Sequence, residues 1–436
     1  MPAITNIFNI LGLPYELKHG SSNKFEIWGH KINLLNYIKI FNSKFCKERN
    51  PQLKDRLGRV IPSDKPIVYP ELNPILKNIF TRINLKSYGI DMPLIQKWFW
   101  PRAAEFAVCV THDIDKIRPT LADQKNRLNY LLSNDKRKII NFVLELMSKK
   151  NPWDPSKIAN YDLQNDVKSS FYFRADKQTY DLERKYVKML LADLLSKGFE
   201  IGLHGSFNSY SDEGLLTKEK YIIEKIIGGV HGVRQHYLRF DNPSTWVKQR
   251  AAGFLYDATY GFAQSIGYRG GVSFPFYPRD ENNNIIDILE IPLTVMDCSL
   301  TAYLKLTLQE SFKTIKKLTN HIMNYNGLIT ILWHNEYFEE LVHPERRRLY
   351  ELVIQYFKLN NSWFASGKMV YDWWVKRERQ NIEALHSDSK LLIDVDKIKG
   401  GMLKIYLPRS WRKGEMDCIW VDSGIKNYFE VDKYGS

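Results

Sequence analysis

An α/β fold with parallel strands, arranged as an open sheet or a barrel, is what this sequence predicts, and three observations predict it. Strand-like and helix-like patterns alternate between about residues 106 and 333. Several of the strands end in ionisable residues, the arrangement by which parallel barrels gather side chains at one rim. The stretches on either side lack that alternation, so the 436 residues divide into more than one unit.

Residues 1–100 read as a mixed α/β segment, with a polar, basic stretch over 44–70 suited to a loop or linker. Trp98-Phe99-Trp100-Pro101 leads into the first strong strand, over 106–110, and puts a boundary near residue 100. A helical pattern over 121–149 stops at Asn151-Pro152, and 154–166 reads as a loop. Strands are then expected over 169–173, 199–203, 233–238, 286–295 and 328–333. Helices are expected over 182–195, 218–227 and 308–325, the first two closed by glycines. Beyond about residue 380 the segments 390–395, 402–407, 418–421 and 428–431 read as short strands without helices. The predicted units are an N-terminal mixed α/β segment (1–100), a (β/α) unit (101–378) and a small C-terminal β module (379–436).

Composition narrows the class. A hydrophobic share of 44% with 26% charged residues is that of a soluble globular protein. Lysine and arginine exceed the acids by 63 to 49, an excess that suits nucleic acid, an anionic membrane surface or a phosphate-bearing substrate. Nucleic acid is disfavoured, because the basic residues are scattered and accompany no nucleic-acid-binding motif. The four cysteines, Cys46, Cys109, Cys298 and Cys418, form no CxxC pair, which argues against a disulfide framework and for a reducing compartment. With no signal-like start and no run of 18 apolar residues, a cytoplasmic protein is expected, with a peripheral seat at the inner membrane face compatible with its charge.

The chemistry gathers at the strand ends. In Thr111-His112-Asp113-Ile114-Asp115 the two carboxylates are two residues apart, so on a strand they point the same way and converge. Two converging anions call for a cation or a shared proton. Later strand ends supply His204, then Arg234-Gln235-His236-Tyr237, then Trp333-His334.

These motifs, in this order, resemble those of the NodB-homology polysaccharide deacetylases, carbohydrate esterase family 4, over about residues 102–375. The resemblance implies a distorted (β/α) barrel of NodB type. It implies metal-dependent de-N-acetylation of an N-acetylated sugar or polysaccharide, in bacterial cell-surface polysaccharide biosynthesis or modification. Asp113 is then the general base and Asp115 a metal ligand. Gly198-Phe199-Glu200-Ile201-Gly202-Leu203-His204 is similar to the opening of the second motif, which makes His204 a ligand. Arg234 pairs with the base, the backbone N–H of Tyr237 serves the oxyanion, and His334 is the general acid. The implied cofactor is a divalent metal, zinc first, with Co2+, Ni2+ or Mn2+ as substitutes.

The family's second motif ordinarily ends in another histidine, four residues on, where this chain has Asn208. Asn208 as a weak ligand, a water, or His236 from the next strand remain open as the third donor. A glycan-binding member of the fold without hydrolysis is the alternative that this substitution raises. Asp257 in Tyr256-Asp257-Ala258-Thr259 resembles a segment of several deacetylase branches, and either orders the site or caps a turn. Asp297 either orients His334 or caps a turn. Arg269 is a candidate for a substrate anion or a plain surface residue, and Trp246 and Trp333 are candidate sugar platforms or core.

Overall fold

The computed structural model describes residues 7–8, 10–13, 25–27, 30–32, 34–45, 53–62, 66–148, 150–380, 382, 384–386, 389–394, 401–422 and 428–433. Cys46, Lys149 and Val395, which fall in predicted segments or in the cysteine reading, lie outside them, as does most of 1–20.

Nine parallel strands form the main sheet: β1 (Phe106–Ile114), β2 (Ser170–Arg174), β3 (Glu200–Gly205), β4 (Gly232–Gln235), β5 (Tyr256–Asp257), β6 (Leu289–Glu290), β7 (Val295–Met296), β8 (Leu328–Leu332) and β9 (Ser362–Ala365). Eight follow the order β6-β5-β4-β3-β2-β1-β8-β7. The edge strands β6 and β7 are consecutive in the chain, and five Cα steps from Glu290 to Val295 reach about 18 Å at most. A flat sheet of eight strands would hold its edges about 34 Å apart. The sheet therefore curls into a distorted (β/α) barrel. Strand β1 is long enough to serve three neighbours: β8 along one side, β9 against its lower half and β2 against its upper half on the other.

Register assigns each side chain to a face. Asp113 lies beside Tyr172, and Tyr172 beside Gly202; Gly232 lies beside Tyr256. Tyr172 and Tyr256 fill the barrel interior with their hydroxyls 3.1 Å apart. A Cβ on Gly202 would fall 2.5 Å from the Tyr172 ring, and one on Gly232 2.0 Å from that of Tyr256, so the glycines make room for the rings. One residue further along, the row of Val233 and Asp257 faces outward, and two further on, Arg174, His204 and Arg234 face inward again.

Helices α1 (Leu121–Asn134), α2 (Ile139–Met147), α3 (Pro155–Gln164), α4 (Lys185–Ser196), α5 (Glu213–Ile227), α6 (Ser244–Ala251), α7 (Leu308–Met323), α8 (Pro344–Leu359) and α9 (Gly367–Arg379) complete the unit. Four local expectations are corrected. The helix predicted over 121–149 breaks at Asp135, whose backbone turns non-helical and whose carboxylate pairs with Arg137. The loop predicted over 154–166 contains α3, started by the Asp154 cap and Pro155. The strand predicted over 286–295 survives only as β6 and β7, with Pro292 between them, a residue that has no N–H for a ladder. The strand predicted over 233–238 stops at Gln235, where His236–Leu238 turns with Tyr237 at φ +59°.

The flanking segments meet each other. Leu94–Lys97 pairs antiparallel with Met402–Tyr406, which pairs with Cys418–Asp422. Ile95, Leu403, Ile405, Trp411 and Val421 share a small core there. Among the described residues no helix is long and apolar enough to cross a membrane.

Candidate active site

The ionisable strand ends predicted from sequence converge at the C-terminal rim of the barrel. Asp115, just past β1, His204 on β3 and His236, just past β4, present one donor atom each, all within 4.8 Å of one another. Asp115 Oδ1 lies 3.3 Å from His204 Nε2 and 3.2 Å from His236 Nδ1, and the two nitrogens are 2.9 Å apart. That oxygen is buried between the two rings. The Arg234 carbonyl, 3.0 Å from His204 Nδ1, can only accept, so Nδ1 carries the proton and Nε2 turns its lone pair to the cluster.

One carboxylate and two imidazoles around a single point suit a divalent transition metal, zinc included. One contact competes. Arg174 Nη1 lies 3.1 Å from His236 Nε2, and a guanidinium only donates. That leaves the ring proton on Nδ1, so ligation there requires His236 to give up this contact. Burial raises the Asp115 carboxyl, but hydrogen bonds and charge from both imidazoles hold it well below the usual carboxylate range. Burial lowers His236, with Asp115 opposing, and the balance leaves it below the ordinary histidine value.

Asn208, an expected weak ligand, is not among the converging donors. It sits exposed after β3, and its Oδ1 accepts from Arg239 Nη1 at 3.2 Å. The third donor of the group comes from His236 instead.

Asp113 is buried beside this cluster, with Oδ1 3.7 Å from Arg234 Nη1 and Oδ2 3.6 Å from His204 Nδ1. Arg234 is held by the Tyr172 ring, 5.3 Å beneath its guanidinium carbon, and by a hydrogen bond to Thr111 Oγ1. Asp113 Oδ1 makes no hydrogen bond among the described contacts.

Opposite, His334 follows β8 with Nε2 3.9 Å from Asp115 Oδ2. Its Nδ1 lies 2.9 Å from Asp297 Oδ1, and its backbone N–H donates to Asp297 Oδ2 at 2.6 Å. Burial lowers the His334 pKa, yet the Asp297 carboxylate outweighs it and the ring ends well above the ordinary histidine value. Asp297, read from sequence either as orienting His334 or as capping a turn, lies against His334, and its Oδ1 also accepts from the Cys298 N–H.

Asp257 is not in the cluster. It occupies the outward-facing row, buried, accepting from Gln249 Nε2 at 2.8 Å and from Thr259 Oγ1 at 2.5 Å. Thr259 Oγ1 in turn accepts from the Gln235 N–H, so Asp257 supports the turn that carries His236 without facing the reacting centre. Tyr237 is half exposed; its ring packs 4.0 Å from that of His236, and its carbonyl accepts from Arg59 Nη1 at 3.3 Å. Trp246 and Trp333 are fully buried, hence core, and Arg269 is buried over the Tyr260 ring, 4.4 Å away.

Sequence reasoning missed several residues here. Arg174, the register partner of His204, ends β2, and a cation at a strand end was a signal available to be read. Glu336 follows His334 by two residues, and burial with the nearby Asp115 charge pushes its carboxyl up to about 8. Arg59 reaches the rim from 178 residues away and had no local signal. A cleft of about 420 Å³ opens onto Asp115 and His334, lined also by Trp153, Glu336, Tyr337 and Arg346.

Fold and rim together define a curled parallel α/β barrel with a candidate carboxylate–imidazole metal centre. No family model and no curated protein matches the chain. Among solved structures it is similar to a protein described as a polysaccharide deacetylase from Mycobacterium smegmatis, at 14% identity and TM-score 0.45, covering 67% of this chain and 98% of that one. It is similar at 13% identity and TM-score 0.45 to another so described from Pseudomonas aeruginosa PAO1, covering 65% and 95%. Puue allantoinase is similar at 15% identity and TM-score 0.45, covering 63% and 92%. Likeness at this level carries no argument about activity, which rests on the side chains.

Proposed function

We propose that the protein is a metal-dependent de-N-acetylase of an N-acetylated sugar or polysaccharide, serving bacterial cell-surface glycan assembly. The observation that supports it is one convergence: three donor atoms within 4.8 Å, flanked by the Asp113–Arg234 pair on one side and the His334–Asp297 pair on the other. Asp115, His204 and His236 would hold the ion, with zinc the first candidate and cobalt, nickel or manganese as substitutes. Such an ion polarises an amide carbonyl and acidifies water.

The chain's own groups then divide the proton work. Asp113, beside Arg234, takes the proton from the attacking water. The Tyr237 N–H is the candidate donor to the tetrahedral oxyanion. His334, protonated through Asp297, donates to the departing amine, and the products are acetate and a free amino sugar.

The test is acetate release from N-acetylated oligosaccharides with added zinc or cobalt. Asp113→Asn should lower release by about 10²- to 10⁴-fold while the metal content is unchanged. Full activity in that variant would refute the assignment of the base.

A further inference from the structure

Helix α2 wears its apolar stripe on the outside. Ile140, Val143, Leu144 and Met147 recur at the spacing that puts four side chains on one helical face. In a core helix that face is covered, but here these residues are 71%, 45%, 56% and 74% exposed. Only Phe142 is buried beneath the helix, against Leu131 and Val342. Leu132 of α1 is also exposed and extends the apolar residues of this pair of helices.

The stripe is bracketed by base. Lys136, Arg137 and Lys138 precede α2, and Lys149 and Lys150 follow it in the sequence. Over 121–150 the sequence holds seven basic residues and three acids. Each acid is already paired: Asp123 with Lys116 at 2.7 Å, Asp135 with Arg137 at 2.9 Å, and Glu145 with Arg127 at 2.7 Å.

We infer that α2 is an interfacial anchor that lies flat on an anionic lipid bilayer. Nine residues make a helix about 14 Å long, far too short to span but suited to resting its apolar face at the acyl boundary. Basic residues at both ends would then meet lipid phosphates. A second copy of this chain fits worse, because each copy would bring the same basic rim and a formal charge of +14. Asn126, Arg127 and Tyr130 of α1 line the cleft that reaches Asp115 and His334, so docking by α2 would set that cleft beside the bilayer surface.

The experiment is flotation of the full chain with vesicles of equal parts phosphatidylglycerol and phosphatidylcholine, against phosphatidylcholine alone. Binding should be at least about tenfold stronger to the anionic vesicles. The pair Ile140→Asp with Met147→Asp should abolish it, with the unfolding midpoint unchanged because both side chains are solvent-facing. Lys136→Glu with Lys150→Glu should weaken it as well. No binding to anionic vesicles, or binding untouched by the Asp pair, would overturn the inference. So would self-association in sedimentation that the Asp pair disperses. Vesicle binding is read without turnover, so it stands or falls apart from the deacetylase reading.

Discussion

At Arg174 two demands meet. Its guanidinium occupies the nitrogen of His236 that must carry the proton if the opposite nitrogen is to bind metal, and it adds a positive charge 3.9 Å from Asp115 Oδ1. Arg174→Met removes both obstacles, so zinc affinity measured by calorimetric titration should rise by about tenfold. Unchanged or weaker affinity would show that His236 does not ligate through Nδ1. His334 offers a second residue-level test. Asp297 raises its pKa, so the acid form persists to higher pH than an ordinary histidine would allow. Asp297→Asn should therefore move the alkaline limb of the pH–rate profile to lower pH. A limb that stays in place would assign it to another group.

Between elements, two buried polar assemblies sit on the outward face of the sheet. Behind Asp113, the His112 ring faces Asp162 Oδ2 at 2.9 Å and the Trp333 carbonyl at 2.8 Å, while Tyr350 and Ser169 also donate to Asp162. This joins β1, α3, α8 and the residue before His334. His112→Leu leaves both acceptors short of a donor and should cost about 3 kcal/mol in denaturant unfolding; a loss within experimental error would mean that the acceptors re-pair. The second assembly is Asp257 with Glu290, register partners on adjacent strands that bring two buried carboxyls side by side. Burial, then the Asp257 charge, raises Glu290 well above the ordinary value. The folded chain thus keeps a proton that the unfolded chain releases near the ordinary carboxylate pKa, and stability falls as pH climbs beyond it. Glu290→Gln keeps an acceptor for Trp246 and should flatten that decline in thermal unfolding followed from pH 5 to pH 9. An equally steep decline in the variant would exonerate the pair. Elements of this kind were unevenly legible in the sequence. Strands β1, β2, β3 and β8 announced themselves by apolar runs, and their polar ends by residue type. The third donor was not decided by sequence, because it depends on where the chain turns after Gln235 and on which strand lies next to β3. Asp257 and Asp297 look alike as strand-end acids, and only register and the path of the turn separate an outward support from a partner of His334.

Across the whole molecule, the segments before and after the barrel are tied to each other by the antiparallel pairing of Leu94–Lys97 with Met402–Tyr406. Ending the chain at residue 380 would bare Ile95 and the edge of that strand. Such a truncation should lower the thermal midpoint and promote aggregation, read by light scattering; a soluble product with an unchanged midpoint would show that the C-terminal strands are dispensable to the rest. Contact between the two ends of a chain leaves no trace in local patterns, so the sequence offered two separate segments. Arg59, which braces the Tyr237 carbonyl from the N-terminal side, is the same lesson at the rim.

The origin of the third donor also bears on how relatives of this chain are to be found. In the proposed ligand set His236 comes from the strand end that carries Arg234, so the loop after His204 would owe no donor to an ion. A genome search that insists on two histidines four apart would discard such chains as dead. One that accepts an arginine and a histidine two apart on the following strand would recover them.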